Sequence, residues 1–175
     1  RESGARWMRA TAVHRETADV HDGEDAHSAR CSARLTRSLQ AEGDTLACGD
    51  WVLCAPDEHQ QLWVVERVSP LNQIVRRDGD GSRHTVVSNV DTALLVMGLD
   101  LDFNLQRLER YLALVVSSGV QPVVVLTKAD IAQEAGAEVV SDRVEQVRAR
   151  VGRHMDVVAV DARAPQNQKS LAPYL

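Results

Sequence analysis

The second half of the sequence contains three short runs of apolar residues, and these runs constrain the fold more than any other feature. They are TALLVMGL at 92–99, PVVVL at 122–126 and VVAV at 157–160. A continuous apolar run of this length is typical of a β-strand that is buried on both faces. Strands of this kind, separated by helices, predict parallel pairing with right-handed crossovers. We therefore predict a β-α-β-α-β arrangement around a parallel sheet.

The two segments between these runs carry apolar residues at helical spacing, which predicts a helix in each. The first helix can be capped by Asp102 or Asn104 and can end at Gly119, and the second can end at Gly152. The predicted buried faces are Leu105, Leu108, Leu112, Val115 and Val116 in the first helix, and Val140, Val144, Val147 and Val151 in the second.

The sequence before these runs has the pattern of an all-β domain. Five short segments, WMRATAVHRE, TADVHD, AHSARCSARL, GDWVLCAP and QLWVVERVSP, are separated by turn signals. They predict a small five-stranded barrel of the OB type, and an SH3-like barrel is the alternative that periodicity does not separate from it. The polar stretch RRDGDGSRH at 76–84 predicts a boundary. We therefore expect an OB-type domain at 1–85 and an α/β domain at 86–175.

The composition excludes several classes of protein. The net charge of −5 gives no overall attraction to nucleic acid or anionic lipid, and no segment reaches the roughly 20 apolar residues of a membrane helix. Cys31, Cys48 and Cys54 form no CxxC pair, so we expect core thiols in a reducing cytoplasm and no metal site in this chain. The chain begins with Arg rather than Met, and we expect its native start to be absent.

Polar residues follow two of the apolar runs at the point where each predicted strand ends. Thr127, Lys128 and Asp130 follow the second run, and the segment 161–163 follows the third. In open parallel sheets, ligands bind beyond the carboxyl ends of the strands. We therefore expect both segments to line one crevice.

The segment TKAD at 127–130 has the form [NT]-K-x-D that selects guanine in GTPases. An ionised Asp130 can accept two hydrogen bonds, and guanine offers a ring N–H beside an amino group. The stem of Lys128 can lie over the base while its ammonium stays in water, and the hydroxyl of Thr127 can hold the loop. The alternative is that Asp130 is an ordinary acid near the start of a helix.

The residues from SNVDTALLVMGL to VVVLTKADI closely resemble the ribosome small-subunit-dependent GTPase A family, also called ribosome biogenesis GTPases. The preceding barrel, with its GDWV strand, resembles the amino-terminal OB domain of the same family. The resemblance implies that Thr127, Lys128 and Asp130 hold guanine. It also implies a second base loop at Asp161, Ala162 and Arg163, where Asp161 replaces the usual Ser.

The family is circularly permuted, so its base motif precedes the phosphate-binding P-loop and the switches. This chain contains no GxxxxGK[ST] and no DxxG after the base motif. We expect it to be the front part of a longer protein, and the alternative is a natural relative without a P-loop. The resemblance implies GTP or GDP with Mg²⁺, held by later residues, and a structural Zn²⁺ only in a further carboxy-terminal domain. We expect no catalytic residue, and hence no GTP hydrolysis, in these 175 residues alone.

Six arginines of the predicted barrel are candidates for binding RNA. If several face one side of the barrel they form an RNA-binding surface, whereas the acids interspersed with them indicate that some only balance charge. The family resemblance favours RNA, because its members bind the small ribosomal subunit through this domain. The six candidates are Arg6, Arg9, Arg15, Arg30, Arg34 and Arg37.

Other polar residues allow a catalytic interpretation and a simpler one. Asp100, Asp102 and Glu109 could supply paired carboxylates, but we expect them to be acids at the start of a helix on a solvated face. His154 could be a catalytic base, but we expect a surface residue beside Asp156.

The function that the sequence predicts is hydrolysis of GTP to GDP and phosphate during late assembly of the small ribosomal subunit. The predicted partners are the subunit with its rRNA and a guanine nucleotide, with no membrane partner, and we expect a cytoplasmic monomer. One alternative is a non-catalytic OB-fold RNA-binding module with an α/β scaffold. Another is a nucleotide-binding regulator that does not hydrolyse its ligand. Preference for guanine over adenine separates the scaffold from the other two.

Overall fold

The computed structural model describes residues 4–79, 81–136, 138–152 and 154–174. The chain divides into two compact units between Val90 and Asp91. The predicted boundary at 85/86 lies five residues earlier and falls inside a strand of the first unit. None of the helices in the described residues is long and apolar enough to cross a membrane.

The first unit is built on a closed barrel of five strands in the order β1-β2-β3-β5-β4. The pairing of β3 with β5 is parallel and the other pairings are antiparallel. This confirms the predicted five-stranded barrel, and the order with its one parallel pair is that of an OB fold. The strands are β1 (Arg6–Val13), β2 (Thr17–His21), β3 (Ala26–Cys31), β4 (Trp51–Pro56) and β5 (Leu62–Arg67).

A helix follows β3 where the sequence predicted that the strand would continue to Leu35. The strand ends at Cys31, and α1 (Ala33–Ala41) begins at once because the Ser32 hydroxyl accepts a hydrogen bond from the Leu35 N–H at 3.3 Å. Leu35 and Leu39, one helical turn apart, are buried against the barrel. The helix therefore closes one end of the barrel core.

The barrel core consists of small and aliphatic side chains that alternate with exposed residues along the strands. Met8, Val20, Val52, Cys54 and Val64 have no solvent-exposed surface. Burial raises the pKa of the Cys54 thiol to about 11, so it stays a neutral core group. The other two cysteines are half-buried, and all three are free thiols.

The polar stretch 76–84 belongs to a hairpin and is not a linker. β6 (Gln73–Arg77) and β7 (Arg83–Ser88) pair as a two-stranded antiparallel sheet, so both ends of the stretch are strand residues. The Ser88 N–H donates to the Cys48 carbonyl at 2.8 Å and so attaches the hairpin to the segment before β4. Its charged and glycine residues are those of an exposed turn, a pattern that sequence analysis does not distinguish from a boundary.

A buried cluster of charged groups connects the barrel to this hairpin. Arg67, at the end of β5, donates to Asp44 at 2.8 Å and lies 3.7 Å from Asp50, which is completely buried. Asp44 also accepts from Gln73 on β6 at 3.3 Å and from Thr85 on β7 at 3.2 Å. Removing either side of such a pair leaves a charge in a poorly solvated place.

The second unit is a parallel sheet of three strands in the order β10-β9-β8, with β9 in the centre. This confirms the predicted parallel β-α-β-α-β arrangement. The predicted second helix, with Val140, Val144, Val147 and Val151 and an end at Gly152, is present, and a shorter helix that the sequence did not predict precedes it and ends at Gly136, where φ is +155°, a conformation that favours glycine. The elements are β8 (Thr92–Gly98), α2 (Leu105–Ser117), β9 (Gln121–Thr127), α3 (Ala129–Ala135), α4 (Val139–Val151) and β10 (Val157–Ala159).

The first helix of this unit begins and ends near the predicted residues. Asn104, and not Asp102, caps α2 by accepting from the Arg107 N–H at 2.9 Å. Gly119, with φ +70°, follows its last turn. Leu108 and Val115 are buried as predicted, but Val116 is 56% exposed because its position on the helix points away from the sheet.

The two faces of the sheet are covered unequally. One face packs through residues such as Met97 and Leu126 against the helices. The other face is covered near β9 and β10 by Leu171, which lies between two 3₁₀ turns at Pro165–Ser170 and Ala172–Tyr174, and by Tyr174 in the second of these turns. Val96 on the outer strand β8 is therefore 63% exposed, and the prediction that β8 is buried on both faces was wrong for this residue.

We predict that Asp44→Asn lowers the free energy of unfolding of the barrel at pH 7 by about 1.5–3 kcal/mol, the range for hydrogen bonds to charged groups. Burial alone would raise the pKa of Asp44, but Arg67, the Thr45 N–H and Gln73 outweigh it, and the pKa is lowered. Because the pKa of Asp44 is lower in the folded state, its ionised form stabilises the fold at pH values above its pKa in the unfolded chain, about 3.9. This contribution disappears as the pH falls through the pKa of Asp44 in the folded state.

The measurement is urea unfolding followed by tryptophan fluorescence, which reports the barrel because Trp7, Trp51 and Trp63 all lie in it. The difference between wild type and variant should shrink between pH 7 and pH values below about 4. Asp78→Asn, which removes an exposed ion pair with Arg76, is the matched control and should change stability by about 0–0.5 kcal/mol. A difference that is independent of pH would contradict the role given to the Asp44 charge.

We predict that Gly49→Ala destabilises the barrel unit by about 2–5 kcal/mol, the sum of left-handed strain and overpacking. A Cβ on Gly49, which has φ +91°, would lie 2.0 Å from the Ser88 carbonyl oxygen. Gly43→Ala is the control, because φ there is +68° and no atom lies within 4 Å of its Cβ, so only the strain of about 1–2 kcal/mol applies. Equal losses in urea unfolding would show that the hairpin does not pack tightly here.

Candidate functional site

The candidate site lies at the carboxyl edge of the three-stranded sheet in the second unit. Gly98 at the end of β8 is in register with Thr127 at the end of β9, and Ala159 on β10 is in register with Leu126. The segments that follow the three strands therefore begin at one edge of the sheet. This confirms that the segment after β9 and the segment after β10 are neighbours, and it adds the segment after β8.

The loop after β9 is held by its own backbone and by both neighbouring strands. The Thr127 carbonyl accepts from the Leu99 N–H at 2.8 Å, and the Thr127 hydroxyl is 3.5 Å from the Met97 carbonyl. On the other side, the Ala129 N–H donates to the Val160 carbonyl at 3.3 Å. The Thr127 backbone therefore fastens the loop to the strand edge, and the predicted role of its hydroxyl in holding the loop stays a prediction.

Lys128 adopts a left-handed backbone conformation, with φ 61° and ψ 36°, and it is the residue at which α3 begins. This conformation is uncommon for a residue with a long side chain and is found where the surrounding structure requires it. It turns the chain sharply from the strand into the helix.

The Lys128 ammonium is paired with Asp100 in the segment after β8, at 2.6 Å. Hydrogen bonds from the Lys128 ammonium and from the Asp102 N–H lower the pKa of Asp100. In turn, the hydrogen bond with Asp100 raises the pKa of Lys128. Gly98 makes room for this carboxylate, since a Cβ there would lie 2.4 Å from Asp100 Oδ1. Sequence analysis did not assign Asp100 to the site. Its position as the first acid after β8, at the same sheet edge, was the signal.

Asp130 lies in the first turn of α3 and is paired with Arg163 from the segment after β10. Arg163 Nη2 donates to Asp130 Oδ2 at 2.7 Å, while Asp130 Oδ1 is buried and has no hydrogen-bond partner among the described residues. Burial opposes ionisation of this carboxyl, but Arg163 and the nearby N–H groups of Ile131 and Asp130, which do not hydrogen bond to Oδ1, outweigh it and lower its pKa. Asp130 is therefore an ionised acceptor with one unused oxygen.

The segment after β10 is shaped by Asp161. Its Oδ1 accepts from the Arg163 N–H at 2.9 Å, and its carbonyl accepts from the Ala164 N–H at 3.2 Å. Ala162, between them, is exposed. Asp161 therefore has a local structural role, because a short polar side chain that bonds the backbone two residues later fixes a turn.

The site thus combines one carboxylate acceptor, one ammonium and a fixed turn around an open edge. An acceptor-only carboxylate suits a ligand edge with adjacent N–H donors. The lysine stem offers an apolar surface for a planar ring, while its ammonium is paired with Asp100. These groups have the chemistry that recognises a planar base with adjacent N–H donors. It contains no side chain arranged as a nucleophile or general base.

The other acids that could have formed a catalytic pair each have a cationic partner. Asp102 pairs with Arg107 at 2.9 Å, and Glu109 pairs with Arg150 at 2.6 Å. His154 is exposed, as predicted. Among the described residues, no group of three or more His, Cys, Asp or Glu side chains could hold a metal ion.

The six predicted arginines of the barrel are not on one surface. Arg6 is paired with Asp22 at 2.8 Å, so its charge is balanced. Arg9 lies over the exposed ring of Trp51, with the guanidinium carbon 5.8 Å from the ring centre. Arg34 lines a separate groove beside Glu42.

The remaining three, Arg15, Arg30 and Arg37, line one shallow groove with Trp63. The Arg30 guanidinium carbon is 5.3 Å from the centre of the Trp63 ring. None of the three arginines forms an ion pair with a carboxylate in the part of the chain that the structure describes. The sequence suggested these arginines as candidates but not Trp63, which lies in the same groove. Arg30 and Trp63 are neighbours because β3 pairs with β5, and this pairing is not visible in the sequence.

Comparisons with known proteins agree with this architecture. The chain is similar to the crystal structure of YjeQ from Thermotoga maritima, with a TM-score of 0.69, 20% identity and coverage of 98% of this chain and 57% of that one. It is also similar to YloQ, described as a circularly permuted GTPase, with a TM-score of 0.66, 19% identity and coverage of 99% and 57%. These similarities show the fold, a barrel followed by the first part of a circularly permuted GTPase domain.

Sequence comparisons give a closer relation. Residues 66–175 match the family model described as RsgA GTPase. A protein from Opitutus terrae named small ribosomal subunit biogenesis GTPase RsgA is 34% identical over 95% of this chain and 47% of its own length. Proteins of the same name from Xylella fastidiosa and Leptospira interrogans are 38% and 39% identical over 73% and 55% of this chain.

The chain spans 47% of the length of the Opitutus relative, 36% of the Xylella relative and 28% of the Leptospira relative. The family match covers more than half of the chain and includes the whole parallel sheet with the segments that follow its strands. On this evidence, the chain belongs to the RsgA GTPase family.

Proposed function

We propose that this protein binds guanine nucleotides at the edge of its parallel sheet and hydrolyses GTP to GDP and phosphate during assembly of the small ribosomal subunit. The observation that carries the proposal is Asp130, an ionised carboxylate with a buried, unpartnered oxygen at the carboxyl edge of the sheet. The relatives' name, small ribosomal subunit biogenesis GTPase, supports the wider role.

The residues at this edge fit guanine better than adenine. Guanine places a ring N–H beside an amino group, and the two oxygens of Asp130 can accept both. Adenine offers no such pair of donors and would leave the carboxylate unpaired, which is unfavourable for a partly buried charge. Lys128 supplies the stem that lies along the base, Thr127 holds the loop, and the turn at Asp161, Ala162 and Arg163 lies on the opposite side.

The residues of this chain contribute base selection and not phosphoryl transfer. Phosphoryl transfer depends on positioning the phosphates and on neutralising their charge with Mg²⁺ and a P-loop. The described residues contain no cluster of metal ligands, and the sequence contains no P-loop motif. We therefore assign only base recognition to residues 127–130 and 161–163 of this chain.

We further propose that the barrel contacts rRNA through the groove of Arg15, Arg30, Arg37 and Trp63. Arginines without carboxylate partners are available to phosphates, and a half-buried tryptophan beside them offers a face to an unstacked base. Arg6 is excluded from this role because Asp22 already neutralises it. The overall net charge of −5 makes such a local concentration of positive charge the feature that attracts an anionic partner.

We predict that Asp130→Asn in the full-length protein weakens GTP binding by about 1–3 kcal/mol, the effect of leaving buried polar groups without partners. The asparagine amide would direct a donor at guanine's own donors. Xanthine carries an oxygen where guanine carries its amino group, so xanthosine triphosphate should gain affinity. Equilibrium binding of both nucleotides to wild type and variant is the measurement.

The same substitution also tests the alternative that Asp130 only supports the start of α3. Asn stabilises a helix start about as well as Asp, so that alternative predicts an unchanged preference for guanine. Asp102→Asn is the matched control, since it removes a neighbouring acid that is paired with Arg107 instead. Unaltered GTP affinity in the Asp130 variant would rule out the guanine site and leave the scaffold with an RNA-binding barrel.

We predict that replacing Arg15, Arg30 and Arg37 together by Ala weakens binding of the full-length protein to small ribosomal subunits. Each neutralised phosphate contributes roughly 0.7–0.9 to the slope of log affinity against log salt, so the slope should decrease by about 2–3. The measurement is the affinity for purified subunits over a series of salt concentrations. Arg76→Ala, which removes an arginine paired with Asp78 on the hairpin, should leave the slope almost unchanged. If only the control variant changes the slope, the RNA surface lies on the hairpin.

A further inference from the structure

The two carboxylate oxygens of Asp130 are in different states. Oδ2 accepts from Arg163 Nη2 at 2.7 Å, whereas Oδ1 is buried and has no partner among the described residues. The Asp130 side chain is 31% exposed and that of Arg163 is 77% exposed. For a ligand that requires both oxygens of Asp130, Oδ2 is therefore already bonded to Arg163 and Oδ1 is shielded from solvent.

The group that engages Asp130 has the same donor chemistry as the proposed ligand. A guanidinium is planar and presents adjacent N–H groups that fit a carboxylate. The edge of guanine also presents a ring N–H beside an amino group. The two groups therefore compete for one acceptor.

We propose that Arg163 takes the place of the guanine edge on Asp130 when no base is bound, and that the base must displace it. Arg163 is then a determinant of how fast and how tightly guanine ligands bind, and not a contact to the base. This inference rests on the proposed guanine site at Asp130.

The structure permits this displacement without moving the backbone. The Arg163 N–H is held by Asp161 Oδ1 at 2.9 Å, and the turn continues with the Ala164 N–H on the Asp161 carbonyl at 3.2 Å. The Arg163 side chain has no other hydrogen bond or ion pair among the described residues. Rotation of one exposed side chain breaks one contact and frees Oδ2.

The expected size of the competition is modest because the ion pair is exposed. Exposed pairs change equilibria by roughly 1.5-fold to 5-fold, so removing Arg163 should raise the association rate and affinity for guanine nucleotides by about that factor. The gain should be largest at low ionic strength and should disappear in concentrated salt, where exposed charges are screened.

The test is stopped-flow binding of fluorescent GDP to the full-length protein, with Arg163→Gln compared with wild type at low and high salt. Arg163→Gln should bind faster and more tightly at low salt. Arg150→Gln is the matched control, because it removes an exposed ion pair with Glu109 elsewhere in the same unit and should change nothing. Unchanged GDP binding by Arg163→Gln at low salt would overturn the proposal, and weaker binding would overturn it and make Arg163 a contact to the base.

A double-mutant cycle separates this inference from the proposed guanine site. In the Asp130→Asn background, where no ion pair can form, Arg163→Gln should no longer accelerate binding of fluorescent xanthosine diphosphate. A persistent acceleration would show that Arg163 acts elsewhere and would overturn the inference. An unaltered base preference in Asp130→Asn alone would instead refute the guanine site itself.

Discussion

The parallel pairing of β9 with β8 on one side and β10 on the other is the constraint on which the candidate site depends. Because all three strands run in the same direction, the chain leaves the sheet at one edge three times. This arrangement brings together four charged residues at the edge, namely Asp100, Lys128, Asp130 and Arg163. The first and the last of them are 63 positions apart in the sequence. Burial of the apolar runs forms the sheet, and the sheet in turn fixes where the charged residues that follow its strands are placed.

Two cation–carboxylate contacts connect the three segments at this edge. The pair of Lys128 with Asp100 joins the segments after β8 and β9, and the pair of Asp130 with Arg163 joins those after β9 and β10. Both pairs are partly solvated, so each contributes little to stability and can be exchanged for a ligand contact. The unpartnered Asp130 oxygen marks which of the two carboxylates is arranged to accept something more.

Charged groups in the barrel have the opposite arrangement. Arg67 is almost completely buried and bonded to Asp44, and the cluster holds the hairpin against the barrel. Its charges are engaged in structure and are unavailable to a partner. The groove of Arg15, Arg30 and Arg37 is different because its charges have no carboxylate partners among the described residues. Whether an arginine is paired, more than how many arginines there are, decides where this acidic protein carries positive charge that no carboxylate neutralises.

Periodicity in the sequence was sufficient to predict the five barrel strands, the parallel sheet and the position of α2. It also placed Thr127, Lys128 and Asp130 at the end of a strand. The reason is that burial imposes a regular spacing on apolar residues, and this spacing is visible in the sequence. Periodicity did not predict α1, where one serine cap after Cys31 overrides the strand pattern, or the hairpin at 76–84. It also could not reveal that Val96 and Val116 are exposed, because a face is buried only if another element covers it. The pairs of Asp130 with Arg163 and of Arg30 with Trp63 join residues 33 positions apart in each case. Such contacts follow from strand order and register, which the sequence leaves open and the tertiary structure decides.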